Sequence, residues 1–106
     1  MVLQKLFGGN DRVLSVPAKE LKDTATKFIL DVREPDEVAT GKIPGAYTIP
    51  LGELSAREDE LPKDEAIYVV CRSGNRSRKA CNYLSGRGFQ CVNVAGGMLA
   101  YEGPTE

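Results

Sequence analysis

The chain has 106 residues, 42% hydrophobic and 27% charged, which suits one compact domain burying roughly 60–70% of its unfolded surface. Its 14 basic and 15 acidic side chains are intermingled and leave a formal net charge of -1, which argues against DNA, RNA or an anionic membrane as partner. There is no histidine, and this removes Ser-His-Asp hydrolysis, Cys-His proteolysis and every histidine-ligated metal site.

In chain order, residues 1–10 lack the charged lead, apolar stretch and cleavage site of a secretory signal. No apolar run approaches the roughly 18 residues of a membrane span, so a soluble cytoplasmic protein is expected. Leu3, Leu6 and Phe7 of this segment either pack back onto the domain, as an apolar segment at a terminus more often does, or form a small docking patch. Residues 13–16 read as a first strand, and Pro17 then opens a helix through Ala18, Leu21 and Lys22. Residues 28–32 read as a second strand. Glu34-Pro35-Asp36-Glu37-Val38-Ala39 reads as a short helix with proline and acids in its first turn, closed by Gly41.

Residues 47–50 form a very short third strand, followed by a helical segment over 51–61 whose charged run, 57–60, faces water before Pro62 ends it. Residues 66–70 have few polar interruptions, as a central strand covered on both faces requires. A helix is expected over 77–87, with Ala80, Tyr83 and Leu84 on one stripe, and residues 92–95 make the fifth strand. Gly96-Gly97 releases the chain into a last short helix over 98–101 before the Gly103-Pro104 stop. Strands alternating with amphipathic stretches define an α/β domain around a parallel sheet. No repeat, low-complexity tract or linker interrupts it.

The chemistry concentrates at Cys71-Arg72-Ser73-Gly74-Asn75-Arg76-Ser77, where the central strand runs into a cysteine and then a short cationic loop. In open parallel sheets, ligands bind beyond the carboxyl ends of the strands, which is where Cys71 falls. Backbone N–H groups feeding a helix N-terminus, with guanidinium groups nearby, lower a thiol pKa from its free value near about 8.5. Cys71 is therefore expected to be a thiolate nucleophile, with Arg72 and Arg76 selecting anions. A second reading of the arginines has Arg76 paired with an acid such as Asp31 and bracing the loop. Cys81 and Cys91 read as core. The odd, widely spaced set of three cysteines does not match a structural zinc site, and no metal or other cofactor is called for.

The loop resembles the active-site loop of rhodanese-type sulfurtransferases. Upstream, Leu30-Asp31-Val32-Arg33-Glu34 and Gly41-Lys42-Ile43-Pro44-Gly45-Ala46 with Ile49-Pro50 resemble two further signatures of that family, and Gly96-Gly97-Met98-Leu99-Ala100-Tyr101 resembles its closing one. The resemblance covers residues 12–103 of a single domain spanning 1–106, with 1–11 as an N-terminal extension. It implies a three-layer α/β/α domain with a five-stranded parallel sheet in the order 1-5-4-2-3. Lys42 stands where the family often has histidine, and Tyr101 where it commonly has tryptophan.

The resemblance also implies a reaction. Cys71 takes the sulfane sulfur of a small anionic donor such as thiosulfate, becomes a persulfide, and passes the sulfur to cyanide, a thiol or a partner protein. Arg72, Ser73, Gly74, Asn75, Arg76 and Ser77 are expected to cradle the donor, with Asp31 and Arg33 as support. Two other readings are kept: a sulfur-relay or interaction module with little thiosulfate turnover, and a cysteine-dependent phosphatase or arsenate reductase. The phosphatase loop has five residues between cysteine and arginine. Here the interval is Cys71-x4-Arg76, and Ser77 occupies the position that would need arginine.

Overall fold

Runs of β-branched residues bounded by turn formers become strands in this chain, and helices cover both faces of the sheet they form. A computed structural model describes residues 5–6 and 13–106. Its strands are β1 (Lys5–Leu6), β2 (Leu14–Pro17), β3 (Phe28–Asp31), β4 (Tyr47–Thr48), β5 (Ala66–Val70) and β6 (Gln90–Ala95). They form one sheet in the order β1-β2-β6-β5-β3-β4. The five strands from β2 onward pair in parallel, which matches the expected 1-5-4-2-3 arrangement. The sheet also gains an antiparallel edge, with Lys5 opposite Ser15 and Leu6 opposite Leu14. Leu3 and Phe7, expected to pack back, lie outside the described residues.

Alternation along the strands divides the core into two layers. Leu30, Ile67, Val69, Cys71 and Cys91 share one face with Ala80, Cys81 and Leu84. Ile29, Val70, Val92 and Val94 share the other with Ala18, Leu21 and Ile43. Successive strand residues point to opposite faces, so a continuous apolar run such as that of β5 fills both layers.

The helices are α1 (Pro35–Val38), α2 (Leu54–Arg57), α3 (Asn75–Ser85) and α4 (Gly97–Ala100). α3 starts two residues before the expected point, because the loop closes onto its first turn. Three other expectations need correction. The helix expected after Pro17 is a single 3-10 turn, Ala18–Glu20, since Leu21 turns extended to reach the core. The helix expected over 51–61 breaks into 3-10 turns on either side of α2. Only Leu54 and the terminal Leu61 are buried within that stretch, and the acids at its end oppose the helix dipole, so nothing enforces one continuous α-helix. The strand expected over 92–95 begins two residues earlier, at Gln90, so Cys91 lies within β6.

α4 locks the end of β5 in place. The Met98 N–H donates to the Cys71 carbonyl at 2.8 Å and the Leu99 N–H to the Arg72 carbonyl at 3.0 Å. Gly97 makes this approach possible: its φ is 57°, and a Cβ there would stand 2.4 Å from the Cys71 carbonyl oxygen and 2.5 Å from that of Arg72. Rigid backbone on both sides leaves no room for relaxation. Replacing Gly97 with alanine is expected to cost about 3 kcal/mol or more of folding stability, read as a loss of the denaturant midpoint at unchanged slope.

Candidate functional site

β5 delivers Cys71 to the carboxyl edge of the sheet, and the chain then turns sharply through residues 72–74 into α3. Gly74 adopts φ 105°, and a Cβ there would lie 3.1 Å from the Gly96 amide nitrogen, so both conformation and space favour glycine. Because α4 takes up the carbonyls of Cys71 and Arg72, the following amides turn inward. The Gly74 N–H donates to Cys71 Sγ at 3.1 Å and the Ser77 N–H at 3.3 Å. Ser77 Oγ lies 3.4 Å from the same sulfur.

Burial alone pushes the Cys71 thiol up, since the side chain is 0% exposed. The Ser77 hydroxyl and the Ser77, Gly74 and Ser73 amides outweigh that, and the thiol is held below the ordinary range. The arrangement is an anion cradle of backbone donors ending at a helix N-terminus, with the sulfur at its floor. A slim electrophile reaches that floor more readily than a bulky one.

The arginines divide their work differently from what the sequence suggests. Arg76 makes a two-point ion pair with Glu37, at 2.6 and 2.8 Å, so the acid bracing the loop is Glu37 and not Asp31. The guanidinium of Arg76, helped by the Glu34 amide, holds the Glu37 carboxyl at about 2, leaving it ionised at any ordinary pH. Glu37 is presented by α1, where it also closes a capping box with Glu34. Asp31 is engaged by Arg33, whose Nε and Nη2 approach its carboxylate at 3.0 and 2.8 Å in a buried pair. Arg33 also donates to the carbonyls of Glu37 and Gly41, tying β3, α1 and the following loop together.

Arg72 has no hydrogen-bond or ion-pair partner for its side chain among the described residues, and it is exposed. With Arg33, Asp36, Glu37, Thr40, Met98 and Leu99 it lines a cleft of about 380 Å³ beside the loop.

The structure thus gathers Cys71, Ser73, Gly74 and Ser77 around the sulfur, leaves Arg72 and Asn75 exposed at the rim, and turns Arg76 outward to α1. Asp31, the last residue of β3, and Arg33, two residues on, pair with each other and make no hydrogen bond to the loop among the described residues. Cys81 and Cys91 are buried in the core layer under α3. Lys42 pairs with Glu106 at 2.5 Å, and the Tyr101 hydroxyl donates to the Pro104 carbonyl, so both departures serve the C-terminal segment. Sequence reasoning missed Glu37 as the loop's brace, the α4 amides, and Asn93, whose Oδ1 lies 2.5 Å from Ser77 Oγ. Asn93 carried a readable signal, since it is the lone amide in the apolar run Cys91-Val92-Asn93-Val94. Glu37 and α4 carried none, because both act across long sequence separations.

Comparison with known proteins places the chain in a family and agrees with its fold. A family model described as a rhodanese-like domain matches residues 17–103. A putative sulfurtransferase of Bacillus subtilis is 47% identical over 79 residues, covering 74% of this chain and 77% of the relative. A sulfurtransferase of Allochromatium vinosum is 39% identical over 85 residues, with 79% of each covered. Among solved structures, a rhodanese-like domain protein from Staphylococcus aureus superposes with a TM-score of 0.81 at 37% identity, over 87% of this chain and 95% of that one. From the central-strand cysteine, the amide cradle above it and these matches together, the chain belongs to the rhodanese-like domain family.

Proposed function

We propose that this protein is a sulfurtransferase that carries sulfane sulfur as a persulfide on Cys71, with thiosulfate or a related anion as donor and a thiol or cyanide as acceptor. The observation that carries this reading is the convergence of the Gly74 and Ser77 amides on a sulfur held below the ordinary thiol range. A merely structural cysteine gains nothing from donors aimed at it, whereas a thiolate does.

In the first half-reaction the Cys71 thiolate attacks the outer sulfur of thiosulfate. An S–S bond forms to Cys71, the S–S bond of the donor breaks, and sulfite leaves with the electron pair. In the second half-reaction an acceptor thiolate attacks the outer persulfide sulfur and Cys71 leaves as thiolate. Charge and atoms balance in both steps, and neither needs a general base, which suits a chain without histidine. The outer sulfur of the persulfide is the anionic one, and the inward amides of residues 73–77 are the groups placed to stabilise it.

Arg72 is the donor-recognition cation in this reading, because Arg76 already spends its guanidinium on Glu37. Arg76 then keeps the loop in register. The relay alternative, in which a partner protein delivers or removes the sulfur, draws support from the burial of Cys71 and from the 64% exposed Leu99 beside Arg72. A relative from Bacillus subtilis, 44% identical over 79 residues and 43% covered, is named a putative sulfur carrier protein.

Three outcomes are expected. Incubation with thiosulfate adds one sulfur atom to the intact mass of the wild type and none to Cys71→Ser, and a wild type that stays unmodified and forms no thiocyanate rejects the proposal. The rate of Cys71 alkylation titrates with a midpoint below the roughly 8.5 of a free thiol. Arg72→Gln raises KM for thiosulfate about tenfold with little change in folding stability, whereas Arg76→Gln lowers stability and kcat by loosening the loop.

A further inference from the structure

The sulfur of Cys71 is one end of a buried polar chain that crosses the sheet. Ser77 Oγ lies 3.4 Å from Cys71 Sγ and 2.5 Å from Asn93 Oδ1, and Asn93 Nδ2 lies 3.5 Å from Ser15 Oγ. Every member is sequestered: Ser77 is 0% exposed, Asn93 1% and Ser15 2%. β2 and β6 place Ser15 and Asn93 directly opposite in the parallel register, and α3 lowers Ser77 onto Asn93 from above. Burying an amide and two hydroxyls in an apolar layer costs free energy unless each is satisfied, so their alignment behind the sulfur calls for a reason.

Proton counting supplies one. Ser77 has a single hydroxyl hydrogen and two neighbours that want it. A carboxamide oxygen only accepts, so the 2.5 Å contact to Asn93 Oδ1 requires Ser77 to donate there. Its lone pairs then face Cys71, which suits a protonated thiol donating to Ser77. An ionised sulfur needs the opposite polarity, with the Ser77 hydrogen turned onto Sγ. Two acceptor oxygens would then face each other at 2.5 Å. A half-turn of the Asn93 carboxamide relieves this: Nδ2 donates to Ser77 Oγ, and Oδ1 accepts from the Ser15 hydroxyl. Ser15, which accepts in one state and donates in the other, completes both arrangements, and its looser 3.5 Å spacing leaves room for the turn.

We propose that Asn93 is a positioning residue for sulfur transfer, whose carboxamide reverses orientation with the charge on Cys71 and so lets Ser77 serve as donor to the thiolate and as acceptor from the thiol. On persulfide formation the charge moves to the outer sulfur, Sγ becomes a poor acceptor, and the Ser77 hydrogen returns to Asn93 Oδ1. The chain therefore reverses twice in each catalytic cycle. The charged groups around the loop do not enter it: on the α3 side Arg76 is closed on Glu37, on the β3 side Asp31 is closed on Arg33, and Arg72 lies exposed at the rim. The residues of α4, Gly97-Met98-Leu99-Ala100, carry no charge, nor does β6 beside the sulfur.

A fixed Asn93 acceptor and a reversing one make opposite predictions. If Oδ1 were fixed it would withhold the Ser77 hydrogen from the thiolate, and Asn93→Leu would lower the midpoint of Cys71 alkylation against pH. If the carboxamide reverses, Asn93→Leu removes one hydrogen bond from each state, but the one lost from the ionised state backs a donor aimed at a full charge and is the stronger, so the midpoint rises by about a few tenths of a unit. Ser15→Ala is expected to raise it by less, and Asn93→Leu to add nothing in a Ser77→Ala background. A lowered or unchanged midpoint in Asn93→Leu, or additive shifts, overturns the inference.

Should either variant fail to fold, the wild type suffices. The side-chain NH2 resonances of Asn93 are expected to shift with the midpoint of Cys71 ionisation and to return toward their low-pH positions after thiosulfate loading. Resonances that ignore both events overturn the inference. The inference rests on the reading of Cys71 as the sulfur-carrying thiolate, yet the two fail separately. A chain that takes up no sulfur rejects that reading, whereas a sulfur-loading thiolate indifferent to Asn93 rejects only this one.

Discussion

The convergence of backbone amides on the Cys71 sulfur is the constraint on which the rest of the structure depends. Amides turn inward along residues 73–77 only because the preceding carbonyls turn outward, and outward carbonyls at the end of a buried strand need partners of their own. α4 provides them through the Met98 and Leu99 N–H groups. That docking demands a residue without a side chain at Gly97 and another at Gly74, where the two loops pass each other. The glycines of two segments more than twenty positions apart are thus consequences of a single sulfur's environment.

Electrostatics around the loop follow a division of labour between backbone and side chain. Partial charges on fixed amides stabilise the anion at short range and cost little reorganisation, while the strongest nearby ion pairs are spent on geometry. Arg76–Glu37 holds the first turn of α3 against α1, and Arg33–Asp31, buried at the end of β3, gathers the Glu37 and Gly41 carbonyls. A buried pair of this kind is poor evidence for added stability, since desolvation offsets much of the attraction, but its directional hydrogen bonds specify one arrangement of three segments. Neutralising these pairs also leaves Arg72 as the exposed cation at the rim.

The opposition between burial and hydrogen bonding at Cys71 has a functional side. A sulfur at the floor of a cradle is shielded from bulky oxidants and alkylating agents, while donors aimed at it lower its pKa against the pull of burial. Removing either half would change the chemistry. An exposed thiolate would be indiscriminate, and a buried thiol without donors would be inert.

Much of this was legible in the amino-acid sequence. The order of strands and helices, the apolar run that makes β5 central, and the cysteine followed by turn formers and arginines are local properties, set by side-chain shape and spacing over a few residues. The extent of the irregular helices was less legible: α2 shortens because only Leu54 buries its face, and the turn after Pro17 stops because Leu21 is drawn into the core. The antiparallel edge at Lys5–Leu6 is too short to carry a pattern. Tertiary structure alone decided which acid braces Arg76, which amides free the loop by capping its carbonyls, and that Ser15, Asn93 and Ser77 line up behind the sulfur. These are pairings between residues from 16 to 78 positions apart, and only the packing of α1, α3 and α4 around one parallel sheet brings them within hydrogen-bond reach.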